Sequence, residues 1–283
     1  MSKGYLIFAH NTKDIDYVEQ AYALALSIKH SQTQVTSVSI VTNNNVSKKY
    51  QKVFDKIIPI PWSDDVTVTR FAGEHRWKLF HVSPYDETMV LDSDMLVLED
   101  ITEWWNYCAN YELKFCSHIK NYKLEKIVDT FHRKAFISNK LTNPYFALHY
   151  FKKSQQALEF YKTLEFVCNN WEWCYDLFAK DNWQDCLSMD LATAIAVEIT
   201  GFHESVIDNF SPLEFVHMKS AIQGWPVTPV TWQDAVPFVL NTKGDLVVGN
   251  IKQSKLFHYV EPEFLSKKIV KRLEEMVYGK EAD

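Results

Sequence analysis

Glycine is scarce in this chain, at 7 of 283 residues, and neither a Gly-x-Gly-x-x-Gly turn nor a P-loop is present. That excludes phosphate binding by a glycine-rich loop. Cysteine is limited to five residues, Cys108, Cys116, Cys168, Cys174 and Cys186, with no Cys-x-x-Cys pair. An odd, unpaired set argues against a disulfide framework and against a structural zinc site, so reduced, packed thiols are expected. Positive charge is also short. Lys and Arg total 30 against 36 Asp and Glu, for a net charge of -6. The chain therefore has no electrostatic reason to bind nucleic acid. The pairs Lys48-Lys49, Lys152-Lys153 and Lys267-Lys268 read as solvated faces. No apolar run approaches a membrane span, and the N-terminus has no cleavable signal pattern, so cytoplasmic residence is the expectation.

The chain is rich in core-forming residues, with 47% hydrophobic and 14% aromatic. Gly4 to Ala9 reads as a strand, followed by a helix from Asp16 with apolar residues at helical spacing (Val18, Ala21, Tyr22, Ala25, Leu26). Thr36 to Thr42 is β-branched and alternating, Asn43-Asn44-Asn45 is a turn, Val46 to Val53 a short helix, and Lys56 to Ile60 a third strand. Helical spacing over Trp77 to Val82 precedes a strand from Thr88 to Leu91. This alternation predicts an α/β fold with a doubly wound, mostly parallel mixed sheet. Further along, Lys114 to His118, Tyr145 to Phe151 and Leu213 to Met218 read as strands. Ser154 to Val167 and Ser188 to Ile199 read as helices, the second capped by Ser188. Pro237 to Leu240, Leu246 to Gly249 and Lys255 to Tyr259 predict a small antiparallel C-terminal elaboration before a charged helix from Glu263 to Tyr278. One domain over 1–283 is expected, with a regular βα half over 1–105 and a less regular half over 106–283.

Asp92 and Asp94 stand one residue apart behind the apolar run Met89-Val90-Leu91, and Met95-Leu96-Val97-Leu98 resumes the apolar pattern behind them. Two like charges at a buried strand end cost several kcal/mol unless a cation compensates them. A hard divalent ion is the simplest compensation, and the carboxyl end of an α/β strand is where ligands gather. The competing reading is a turn with both carboxylates facing water.

The order of motifs resembles the GT-A glycosyltransferases, in particular glycosyltransferase family 8, the glycogenin-like group. Phe8-Ala9-His10-Asn11 with Asp14 and Tyr17, then Ser27-Ile28-Lys29-His30, looks like the family's first strand, nucleotide-contacting loop and first helix. Phe54-Asp55-Lys56-Ile57-Ile58 is similar to its third-strand entry. The most specific stretch is Trp77-Lys78-Leu79-Phe80-His81, Tyr85, Leu91-Asp92-Ser93-Asp94-Met95-Leu96-Val97 and Asp100-Ile101. Beyond residue 105 the match thins. Tyr145-Phe146-Ala147-Leu148 lacks the family's Asn and Gly, Leu191 follows Asp190 where the family has Gln, and the family's C-terminal His-x-x-Gly-x-x-Lys-Pro-Trp is not intact.

The resemblance implies a metal-dependent, retaining hexosyltransferase that takes a nucleotide-sugar donor, UDP-linked, and a hydroxyl acceptor. Ala9, His10, Asn11, Asp14, Tyr17, Lys78, Asp92, Ser93, Asp94 and Lys219 are the implied donor-binding residues. Mn2+ or Mg2+ would sit on Asp92 and Asp94, with a neutral His as third ligand. His217, ahead of Lys219 and Trp225-Pro226, and His258, closing the last strand, both qualify, with His258 slightly preferred. Asp190 and Lys78 are the catalytic candidates, Asp190 near the donor sugar and Lys78 reaching the donor. Of the aromatics Trp171, Trp173, Tyr175, Trp183, Trp225 and Trp232, the last two are expected to face an acceptor, because both lie in a Pro-bearing loop. Three other classes compete. An Asp-x-Asp phosphatase would need Thr or Val where Leu96 stands. A nucleotidyltransferase would need a Gly-rich, Lys-bearing N-terminal loop. A degenerate transferase kept for carbohydrate binding or assembly is favoured by the broken C-terminal motif.

Overall fold

The structure is a computed structural model that describes residues 1–62, 73–179, 187–225 and 231–279. Trp183, Cys186 and Pro226 lie outside the described residues. In chain order the first half runs β1 (Lys3–Phe8), α1 (Tyr17–Ser31), β2 (Val38–Val41), α2 (Lys48–Gln51), β3 (Lys56–Ile58), α3 (Leu79–Val82), β4 (Glu87–Asp92) and β5 (Met95–Val97). It continues through α4 (Thr102–Cys108), β6 (Leu113–Cys116), β7 (His118–Lys120), β8 (Lys126–Ile127), α5 (Lys134–Ser138), β9 (Tyr145–Lys152), α6 (Gln155–Asn169) and α7 (Trp171–Phe178). The remainder comprises α8 (Met189–Thr200), β10 (Glu214–His217), α9 (Ser220–Gln223), α10 (Trp232–Ala235), β11 (Phe238–Leu240), β12 (Leu246–Val248), β13 (Ile251–Lys252), β14 (Leu256–His258) and α11 (Lys267–Tyr278). A 3-10 segment, Gly73–Lys78, leads into α3. None of the helices among the described residues is long and apolar enough to cross a membrane.

The central sheet has the order β3-β2-β1-β4-β9-β6. Its first four strands are parallel, and β9 and β6 extend it antiparallel. This is the mixed, mostly parallel arrangement the alternation of elements predicts. Alternate side chains serve opposite faces, as the two-residue period of a strand requires. Tyr5, Ile7, Met89 and Leu91 join the core that includes α1 and α11, whereas Leu6 and Val90 join the one built with α6 and α8.

Local chemistry sets several boundaries. Asp16 starts α1 by accepting from the Glu19 amide at 3.0 Å, and Ser154 starts α6 by accepting from Ala157 at 3.2 Å. Gly201 closes α8 in the left-handed region at φ 73°, a conformation that costs glycine nothing. Gly4 is required for a different reason. A Cβ there would meet the Tyr85 ring at 2.3 Å, and that ring is held by a 2.7 Å bond between its hydroxyl and Ser39.

The C-terminal third departs from expectation at one strand. A small antiparallel sheet is present as β11-β12-β13, but β14 is not part of it. It lies in a five-stranded sheet, β5-β14-β10-β7-β8, antiparallel to β5 and parallel to β10. The reason is burial. Leu256, Phe257 and His258 are all buried, which a strand reaches by lying between two others rather than at the rim of a small hairpin. The chain from Trp171 to Phe178, whose aromatics alone were noted in the sequence, is helical with only Cys174 buried.

Candidate functional site

β4 ends on Asp92, and its apolar run, buried on both faces, carries the carboxylate to the edge of the core. Ser93 and Asp94 form the link to β5, and the Asp94 carbonyl accepts from the Tyr259 amide at 3.1 Å. That bond, with the Met95–His258 register, sets the end of β14 beside the aspartates. His258 Nε2 lies 2.9 Å from an Asp94 carboxylate oxygen. One ligand atom each from Asp92, Asp94 and His258 falls within 4.8 Å of the others, and this is the group able to hold a metal ion among the described residues. The two carboxylates suit Mn2+ or Mg2+, and the added imidazole favours Mn2+ of the two.

Of the two histidine candidates, His258 is the one brought to the carboxylates. His217 stands opposite it on β10, with ring centroids 4.7 Å apart. Burial, together with the charges of His258 and Lys219, keeps its imidazole well below the ordinary histidine range, so His217 is neutral. Its Nδ1 is buried without a hydrogen-bond partner.

Electrostatics around the pair are balanced by cations. Burial works to raise the Asp94 carboxyl, but the charge and hydrogen bond of His258 and the charge of Arg76 outweigh it and leave it below the usual carboxylate range. Arg76 pairs directly with Asp92, and its guanidinium lies 5.0 Å from the centre of the Phe146 ring. Burial lowers its pKa, while Asp190 and Asp94 oppose the shift.

A cleft of about 180 Å3 opens onto this group, lined by Phe8, His10, Tyr17, Arg76, Asp92, Ser93 and Asp94. Burial lowers the His10 pKa, and burial with the Asp94 charge raises that of the Tyr17 phenol. Ala9 is buried beside them and donates its amide to Val41. Asn11 is taken up structurally, since its side-chain oxygen accepts from the Val18 amide at 3.0 Å and its backbone N–H donates to the Asn44 side-chain oxygen at 2.8 Å. Asp14 is exposed on the same loop.

A second cavity, of about 420 Å3, is lined by Asp129, His132, Arg133, Ser188, Asp190, His217 and Lys219 among others. Asp190 sits in the first turn of α8, where the Ser188 hydroxyl caps Leu191. One of its oxygens accepts from the Phe146 amide at 2.7 Å and the other from Arg133 at 2.6 Å. Burial lowers the Lys219 pKa against the raising influence of Asp190. His217 lines this cavity while packing on His258, so the two histidines connect it to the carboxylate pair.

Two expectations need correction. Lys78 does not join the aspartates. Its ammonium donates to the Trp62 carbonyl at 3.3 Å and it lines a separate cavity, because successive residues of a 3-10 turn face different directions. The cation that reaches Asp92 is Arg76, two residues earlier. Its signal in the sequence was a second cation just ahead of Trp77. Trp232 does not face an acceptor. It is 0% exposed, donates its indole N–H to the Tyr259 carbonyl at 2.8 Å and packs against Phe238, Phe257 and Phe264. An indole loses exposure readily once its single polar atom has a partner, and the neighbouring proline did not prevent that. Trp225 is half-buried against Tyr122, with ring centroids 5.5 Å apart. Arg133, the partner of Asp190, was also missed. It stands in the run His132-Arg133-Lys134, and its use depends on a contact 57 residues away.

No family model matches the sequence, and no curated protein matches it by sequence. Solved structures do match. The galactosyltransferase LgtC, determined with donor and acceptor sugar analogs, is 12% identical with a TM-score of 0.54 over 97% of this chain and 95% of its own. The bifunctional glycosyltransferase WbbM is 16% identical with a TM-score of 0.51 over 98% of this chain and 50% of its own. The chain also spans 61% of the length of the glycosyltransferase GlyE of Streptococcus pneumoniae TIGR4, at 10% identity and a TM-score of 0.48. The similarities to LgtC and WbbM establish a GT-A fold.

Proposed function

We propose that the chain is a metal-dependent glycosyltransferase, moving a hexose from a nucleotide-diphosphate donor, UDP-linked, to a hydroxyl acceptor with retention at the anomeric carbon. The observation that carries this reading is the meeting of Asp92, Asp94 and His258 at the carboxyl end of a parallel strand in a GT-A fold. These three residues would hold Mn2+ or Mg2+, which when bound offsets the negative charge gathering on the leaving diphosphate. The cleft over Phe8, His10 and Tyr17 takes the nucleoside, beside the β1–α1 loop. Lys219, on the cavity beside His217, is the lysine offered to the phosphates. Asp190 has both oxygens engaged, by Phe146 and Arg133, which suits it to orient a sugar hydroxyl and to stabilise positive charge at the anomeric carbon. That engagement disfavours a role as a free nucleophile. Trp225 is the remaining acceptor-side aromatic.

The test is nucleotide release from a panel of UDP- and GDP-sugars by the full chain, with and without Mn2+. Metal-dependent release supports the reading, and Asp94→Asn should lower it by about 100-fold or more. A wild-type chain that neither turns over nor binds any donor in the panel overturns it. The Arg76–Asp92 pair favours a second reading, a sugar-nucleotide-binding protein without turnover, because a carboxylate already neutralised by Arg76 has less need of a metal. Donor binding that is unchanged by Mn2+, with no release, selects that alternative.

A further inference from the structure

The 3-10 segment that presents Arg76 to Asp92 presents His75, Trp77 and Lys78 to a different cavity, of about 320 Å3, which the proposed reaction does not use. Trp62, His75, Trp77, Lys78, Glu165 and Asn169 line it, together with Cys168. Its volume lies in the range of small-molecule sites, about 300–1,000 Å3. Trp62 is 62% exposed, an unusual condition for a tryptophan that has a partner available. Its ring is nevertheless placed with care. It stacks on the buried Trp77 at 5.9 Å and 20° and meets the edge of His81 at 5.2 Å. Its backbone is held at φ 51°, a left-handed conformation costly for a bulky residue, and the Lys78 ammonium bonds its carbonyl at 3.3 Å. A largely exposed indole stacked on a buried partner is a stacking platform.

The part of the lining that α6 supplies is chemically distinct. Glu165 and Asn169 lie one helical turn apart on α6, so a carboxylate and a carboxamide project from one face of that helix. Both are planar groups that bond paired hydroxyls, and the carboxamide both donates and accepts. One ammonium and one carboxylate leave the lining without a charge excess, which disfavours phosphate or a polyanion. A ligand that is apolar on a ring face and lined with hydroxyls at its rim fits this lining. A pyranose has that character.

We propose that this cavity is an accessory carbohydrate subsite that takes a neutral pyranose unit of a glycan, stacked on Trp62 and hydrogen-bonded by Glu165 and Asn169. Lys78 is a positioning residue that holds the strained Trp62 backbone. The subsite is separate from the Asp92–Asp94–His258 group and needs neither metal nor nucleotide.

The experiment is saturation-transfer NMR of the full chain, free of nucleotide and divalent metal, with lactose, cellobiose, maltose and chitobiose as probes. Transfer to at least one disaccharide is expected. Trp62→Ala should weaken binding of that sugar by about tenfold, and Glu165→Gln or Asn169→Ala should weaken it without altering the fold, as judged by far-UV circular dichroism. Asp94→Asn should leave it unchanged. Transfer to none of the four sugars overturns the proposal, as does binding that survives Trp62→Ala or disappears in Asp94→Asn. Because donor turnover is not measured, failure here leaves the proposed transferase reading untouched, and failure of that reading leaves this one standing.

Discussion

His149 offers a quantitative test of how the core is wired to the site. It is 0% exposed on β9, beside Phe115 and Phe146, with Nδ1 2.8 Å from the Phe146 carbonyl oxygen and Nε2 2.9 Å from the Tyr161 hydroxyl. Both ring nitrogens are satisfied in the neutral tautomer that donates from Nδ1 and accepts at Nε2. Burial pulls its pKa from 6.5 down to about 3, against the raising effect of the Phe146 bond. The unfolded chain therefore binds a proton here that the folded chain refuses. Stability from this group is complete above pH 6.5, declines as pH falls, and is lost once pH passes the folded value near 3. Integrated from pH 7 to pH 4, the loss is about 3 kcal/mol, with a slope approaching 1.4 kcal/mol per pH unit. The assay is urea unfolding at half-unit pH intervals for the wild type and His149→Phe. The variant keeps the aromatic volume but leaves the Phe146 carbonyl and the Tyr161 hydroxyl unpaired, so it starts lower by about 1–3 kcal/mol. Its curve should then be flatter by the His149 contribution between pH 6 and pH 4. Other histidines cancel in the difference. Parallel curves would refute the assignment of this proton uptake to His149.

Further expectations concern the site and its surroundings. Mn2+ should raise the melting temperature of the wild type, since a ligand bound only by the native state stabilises it. Asp94→Asn should remove that shift, and an unchanged shift places the ion elsewhere. Arg76→Met should tighten Mn2+ binding measured by calorimetry, because the competing cation on Asp92 is gone, and weaker binding would contradict the pairing. Trp232→Ala should cost about 3–5 kcal/mol in denaturant unfolding. A stable variant with a selectively raised acceptor KM would restore the acceptor role.

Of the first four strands, β1, β2 and β4 were legible as buried runs separated by helical periodicity, whereas the short, largely exposed β3 was marked by Ile57-Ile58 ahead of Pro59 and Pro61. The carboxylate pair was legible for the same reason, since a charge directly after Met89-Val90-Leu91 stands out. The rest of the site depends on pairings that no local pattern encodes. Choosing between His217 and His258 requires knowing that β14 lies between β5 and β10. Arg76 and Lys78 differ only in which side of a short 3-10 turn they occupy, and the sequence around Trp77 reads as an ordinary α-helix. Trp232 misled because the partner that lets its indole be buried, the Tyr259 carbonyl, lies 27 residues away.

The placement of β14 bears on when in its own synthesis the chain becomes competent. Asp92 and Asp94 leave the ribosome long before His258, and the strand carrying that histidine is an inner member of its sheet, with β5 already made and waiting on one side. α11 follows and is tied to the beginning of the chain, where the Tyr22 hydroxyl donates to Glu274 at 3.1 Å. A nascent or prematurely terminated chain therefore displays two carboxylates but not the three-ligand group. Synthesis through β14 is therefore the step that brings His258 to the two carboxylates, and a chain stopped before it should show no Mn2+-dependent rise in melting temperature.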